Sequence, residues 1–180
     1  MQQATKYQGF TLIELLVTLI VASVILGFAI PNFTSQIRNN RSLAFGDEFA
    51  SALNYTRSEA VKRGSLVSIC PSNDNGDDCA TDWTNGWLVF TDGAANDTVN
   101  SVTFGTLLRY WDPPGEDMEL TVERDGSAAD FVRFTGVGAL ARVDDNPVEG
   151  TAKHTDCTGN AAREFNVSLS GSVRFQRIEC

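Results

Sequence analysis

Only one histidine occurs in the 180 residues: His154, set among polar residues in AKHTDC. A hydrolase needs a nucleophile, a base and an orienting group converging in one pocket. The chain has no G-x-S-x-G and no H-E-x-x-H, so no catalytic centre is nominated and His154 is expected on the solvated surface. Neither an enzyme activity nor a cofactor is expected. Calcium is poorly served as well. Residues 72–78, SNDNGDD, are rich in oxygen ligands, yet aligning Gly76 with the glycine of an EF-hand loop puts Pro71 at the first ligand position and leaves no glutamate at the required distance. The four cysteines, Cys70, Cys79, Cys157 and Cys180, lack the paired C-x-x-C spacing of a zinc site. No metal is therefore expected, and an even cysteine count reads as two disulfides. Three pairings are open, of which sequence proximity favours Cys70–Cys79 and Cys157–Cys180.

The charge most in need of a reason is Glu14. It is the single ionisable residue in the 21-residue apolar run from Phe10 to Ile30. At about 1.5 Å per residue that run is long enough to cross a bilayer core of about 30 Å. A carboxylate there costs roughly 2.5–3.5 kcal/mol on insertion scales, so it needs a partner or a purpose. In front stands the polar leader MQQATKYQG. A secretory signal carries its small-residue cleavage site after the apolar region, whereas here the small residue precedes it. A cut between Gly9 and Phe10 would leave the apolar helix on the mature chain.

The run K-x-x-G-F-T-L-I-E-L-L resembles the leader junction of type IV pilins and type II secretion pseudopilins. The resemblance implies that a prepilin peptidase cuts after Gly9 and methylates Phe10. It also implies that Glu14, fifth after the cut, meets the N-terminal amine of an adjacent subunit during filament assembly. The head would lie in the periplasm, on the far side of the bacterial inner membrane, where disulfides persist.

The leader (1–9) and the spanning segment (10–31) leave residues 32–180 for one head domain, a size that suits a single core. Net charge is −9, or −10 once Lys6 leaves with the leader, which argues against a general nucleic-acid binder. Past Pro31, expected to bend or loosen the helix by one turn, the helical period continues. Phe45, Phe49, Ala52, Leu53, Ala60 and Val61 make one apolar stripe. Lys62 and Arg63 suit the negative end of the dipole and Gly64 suits a left-handed cap, so one helix is predicted from Thr11 to Arg63. The period then turns alternating. Strands are predicted at 66–70, 86–91, 102–110, 118–123, 131–135, 164–169 and 173–178, separated by Gly-, Pro-, Asn- and Asp-rich turns. The fold class is α+β: a long N-terminal helix packed on an antiparallel sheet.

Three segments narrow the resemblance to the GspH/FimT pseudopilins and minor pilins: FASALNYTRSEA, WTNGWLVFTD and VRFTGVGAL. Residues 143–162 match no motif and are expected to form a variable loop. The resemblance implies a non-enzymatic subunit that works with other pilins or pseudopilins. An alternative within the family is a DNA-binding minor pilin, with arginines in a C-terminal G-R-x-R. Here Gly171-Ser172-Val173-Arg174 keeps Arg174 and replaces the first arginine by Ser172, with Arg177 three residues on. On a strand Arg174 and Arg177 face opposite ways, which disfavours a shared DNA surface. Lys153 and Arg163, expected in the preceding loop, are the nearby cations.

Overall fold

The computed structural model describes residues 9–180, with the side chains of 28–32 outside the described set. Positions 1–8 of the expected leader, Lys6 included, lie outside the described residues. The chain divides into two compact units, Met1–Ile37 and Arg38–Cys180.

One helix, α1 (Leu12–Arg63), belongs to both units and is unbroken across Pro31. It ends as its residues require. Gly64 is left-handed (φ 62°), Gly64 N–H donates to the Val61 carbonyl, and Ser65 N–H donates to that of Ala60. Within the second unit, Phe45, Phe49, Ala52, Leu53 and Ala60 are buried along one face. Val61, expected to extend that stripe, is instead exposed.

Nine strands follow: β1 (Val67–Pro71), β2 (Trp87–Asp92), β3 (Phe104–Trp111), β4 (Met118–Arg124), β5 (Ser127–Ala128), β6 (Val132–Phe134), β7 (Val148–His154), β8 (Ala162–Val167) and β9 (Val173–Ile178). They form two antiparallel sheets rather than one, in the orders β3-β2-β1-β6 and β5-β4-β7-β8-β9. Seven strands stand where alternation places them, to within two residues. The expected loop at 143–162 is corrected, since it contains β7, the central strand of the second sheet. Its burial alternates, with Val148, Gly150, Ala152 and His154 inward. Gly150 has to be glycine, because a Cβ there would stand 1.8 Å from the Thr121 carbonyl oxygen and 2.7 Å from the Phe165 ring. Asp125 (φ 51°) and Gly126 (φ 69°) make the two-residue turn joining β4 to β5.

The core joins both sheets to the helix. The Phe49 ring meets Trp83, Trp87 and Phe165 at centroid distances of 5.5, 5.2 and 5.1 Å. A smaller cluster of Cys70, Leu88, Phe90 and Phe131 is packed separately.

Candidate assembly site

Gly9 and Phe10 are exposed ahead of the helix. Thr11 is its N-cap: Glu14 N–H donates to Thr11 Oγ1 (3.3 Å), and Thr11 N–H donates back to Glu14 Oε2 (3.4 Å). This reciprocal pair is a capping box, and T-L-I-E has the S/T-x-x-E spacing that announces one. Sequence reasoning about Glu14 overlooked this local role. From Leu12 to Leu26 every large apolar side chain is exposed, on all sides of the helix. A helix apolar all round with no cover of its own must be covered by lipid or by other helices. Among the described residues no helix is long and apolar enough to cross a membrane, and the expected span at 10–31 runs into the side chains outside the described set.

In the second unit the charged residues of T-R-S-E-A are architectural. Arg57 donates from Nε to the Gly138 carbonyl (2.8 Å) and from a terminal nitrogen to that of Ser170 (3.4 Å), tying two loops to the helix. Glu59 accepts from Arg63 (2.8 Å) and Lys62 (3.1 Å), and these bonds hold its carboxyl below the ordinary value.

The most deeply buried ion pair links the two other motifs. Arg133 donates to Asp92 Oδ2 (2.8 Å) and to the carbonyls of Val99 and Ser101 (both 2.6 Å). Asp92 also accepts from Ser68 Oγ (2.6 Å) and from the N–H groups of Ala94 and Thr103. Burial pushes the Asp92 carboxyl up, but the bonds from Ser68, Thr103, Arg133 and Ala94 outweigh it and hold the carboxyl below its ordinary value. The network anchors both ends of the loop from Asp92 to Thr103.

Cysteines 70 and 79 are bonded (S–S 2.02 Å), as are 157 and 180 (2.06 Å). The first bond closes the acidic turn at 72–78, where Asn73 Oδ1 accepts from the N–H groups of Asp77 and Asp78. Among the described residues no three His, Cys, Asp or Glu side chains could together hold a metal. His154 is buried, contrary to the surface position expected of it. Its N–H donates to Ser42 Oγ (3.0 Å) and its Nδ1 accepts from Asp156 N–H (3.0 Å), because β7 runs beside the helix. Arg174 and Arg177 are both exposed on β9, at the edge of the second sheet, opposite Asn166 and Arg163. Lys153 and Arg163 lie on strands rather than in a loop, paired with Glu119 (3.2 Å) and Asp47 (2.7 Å).

Residues 46–172 match the family described as Type II transport protein GspH. The chain belongs to the GspH family. Residues 5–30 of this GspH-family chain also match the prokaryotic N-terminal methylation motif. Solved structures of two proteins share its fold. The type IV minor pilin FimU of Pseudomonas aeruginosa is 22% identical, with 76% of this chain and 89% of that one covered and a TM-score of 0.59. The minor pseudopilin EpsH from the type 2 secretion system of Vibrio cholerae is 11% identical, with 76% and 97% covered and a TM-score of 0.51. No curated protein matches the chain.

Proposed function

We propose that this chain is a non-enzymatic minor subunit of a type IV pilus or of a type II secretion filament. Residues 1–9 are its leader, 10–31 the segment held in the inner membrane and then in the filament core, and 32–180 the periplasmic head. The observation that carries this reading is the first helix, apolar on every side between Leu12 and Leu26 and interrupted by one carboxylate at Glu14. A prepilin peptidase cuts after Gly9 and methylates Phe10. Once subunits are bundled, Glu14 pairs with the Phe10 amine of a neighbour. A buried pair of this kind sets register more than it adds stability, because any other alignment leaves a charge unpaired.

The test is intact-mass analysis of the chain from native membranes. The expected species begins at methylated Phe10; a mature chain retaining Met1, or one cut after Ala22, overturns the reading.

A DNA-receptor role predicts a different outcome from the one expected here. Arg174 and Arg177 stand on an edge strand of a chain with net charge −9, and the neighbouring cations Lys153 and Arg163 are engaged by Glu119 and Asp47. Affinity for a duplex follows the number of phosphates neutralised. The detergent-solubilised chain is expected to show no binding to a short duplex at physiological salt. Micromolar binding that disappears on changing Arg174 and Arg177 to Ala would make DNA uptake the leading function.

A further inference from the structure

The outer strands of a sheet offer unpaired N–H and C=O groups to any extended chain. The two sheets here have four outer strands, and three are blunted. β5 is only two residues long. β3 shifts register twice against β2, at Val89/Phe90 and at Phe90/Asp92. β6 is met on its outer side by the returning chain, where Ala141 N–H donates to the Arg133 carbonyl (2.9 Å) and Phe134 pairs with Leu140. β9 is different. Its six residues stay in step with β8 from Val173 to Ile178.

The ladder decides which backbone groups of β9 are open. Ser168 N–H donates to the Ser172 carbonyl (3.0 Å), which makes these two a hydrogen-bonded pair. In an antiparallel ladder such pairs alternate with non-bonded ones. Arg174, Gln176 and Ile178 therefore bond to β8, while Val173, Phe175 and Arg177 turn their N–H and C=O groups outward. Among the described residues nothing bonds these six groups.

The side chains divide in the same way. Val173 and Phe175 are half-buried against the core, with the Phe175 ring 5.7 Å from that of Phe165. Arg177 shares their face of the strand and Arg174 lies on the other. A hollow of about 490 Å³ lies over β8 and β9, lined by Glu164, Phe165, Asn166, Arg174, Phe175 and Gln176.

Charge selects the occupant. Glu164 is engaged by Gln176, and Arg163 by Asp47. Among the described residues neither Arg174 nor Arg177 meets a carboxylate. The strand thus carries +2 in a chain of net −9. A second β9 laid along the first would gather four arginines on one ribbon, and like charges across a ladder repel. That disfavours self-pairing and favours an acidic strand.

We propose that the open edge of β9 takes an antiparallel strand from a different subunit of the filament, with the pattern acidic–x–apolar–acidic. Its two acidic side chains stand opposite Arg177 and Arg174, and its apolar one opposite Phe175. Its backbone bonds the outward groups of Val173, Phe175 and Arg177. The source of the strand rests on the filament reading; the strand site itself does not.

The probe is the fluorescein-labelled peptide TVDTVEVT, titrated with the detergent-solubilised full-length chain and read by fluorescence polarisation. Saturable binding is expected. Arg177→Pro deletes an outward N–H and leaves the bonds to β8 in place, so it should weaken binding roughly ten-fold or more. Arg177→Ala removes the charge alone and should weaken it only about 1.5- to 5-fold. Arg174→Glu together with Arg177→Glu should abolish binding of this peptide and transfer it to TVKTVKVT, an exchange that a misfolded variant would not show. No saturable binding below about 1 mM, equal losses for proline and alanine, or no charge exchange overturns the proposal. In native membranes, benzoylphenylalanine at Gln176 should give an adduct to a second protein that carries its own N-terminal methylation motif, mapping to a segment of the stated pattern. An adduct between two copies of this chain, an adduct to any other segment, or none overturns the assignment to a different subunit. The titration needs no filament, so a chain found uncut at Gly9 would sink the filament reading and leave the strand site standing.

Discussion

Glu14→Ala is expected to enter the membrane at least as well as the native chain and to vanish from sheared filaments. An apolar residue removes an insertion cost of roughly 2.5–3.5 kcal/mol, so membrane recovery should hold or rise. On the proposed pairing, the same change strands the neighbour's Phe10 ammonium in the bundled helices. Breaking a buried pair costs about 3–5 kcal/mol, which corresponds to a loss of more than 100-fold in incorporation. The capping box complicates the alanine variant, because Glu14 also returns a bond to Thr11. Losing a cap costs about 0.5–2 kcal/mol and frays one turn. Glu14→Gln separates the two roles, since glutamine serves a capping box but carries no charge. Immunoblots of membrane and sheared fractions should show Glu14→Gln failing like Glu14→Ala. Normal incorporation of the glutamine variant would reduce Glu14 to a helix cap.

The second large effect belongs to Arg133. Both it and its partner Asp92 are buried, and Arg133→Ala removes the donor to three acceptors at once. The expected loss is about 3–5 kcal/mol, the cost of leaving one member of a buried pair without its partner. Trp83, Trp87 and Trp111 lie in the core, so tryptophan fluorescence of the detergent-solubilised chain during urea unfolding reports it. Arg133→Lys keeps the charge but not the planar fork, and should recover only part of the loss. A loss below 1 kcal/mol for the alanine variant would show that Ser68, Ala94 and Thr103 suffice for Asp92. The same carboxylate sets an acid limit. Its folded pKa lies below the ordinary 3.8, so near that value the unfolded chain binds more protons than the folded one. The stabilisation is complete well above 3.8 and is lost as the pH falls through the lower folded value. Glu59, depressed from 4.5 by Arg63 and Lys62, acts in the same direction. The native midpoint should therefore drop steeply below about pH 4, and the slope should flatten in Asp92→Asn.

The long helix was legible because its signals agree: apolar stripe, basic last turn and Gly64. Seven strands were legible from alternation alone. β7 was not, because V-E-G-T-A-K-H alternates with glycine, alanine and histidine on its buried face, residues that read as a polar loop unless their neighbours are known. Gly150 is small to clear Thr121, more than twenty residues away, and nothing near it in the chain says so. The same blindness put His154 on the surface, since its burial depends on Ser42, 112 residues earlier. The ion pair of Asp92 and Arg133 spans 41 residues and joins motifs that each look complete alone. The capping box was in plain view as T-L-I-E, and the stronger meaning of a carboxylate in an apolar run drew attention from it.

The helix finds part of its cover late. Ser42 bonds to the Ala161 carbonyl, Asp47 to Arg163, and Phe49 packs on Phe165, all separations of more than 110 residues. At about 5–20 residues per second, a ribosome needs roughly 6–24 s to make the 119 residues between Ser42 and Ala161. During that interval Phe45 and Phe49 can already meet Trp87, and Phe49 also Trp83, while Phe165 and the last strands of the second sheet are still missing. The head can therefore cover one side of the stripe with the sheet β3-β2-β1-β6 before the other side has its strands. The side that faces Phe165 stays open until β8 and β9 arrive and close the unit.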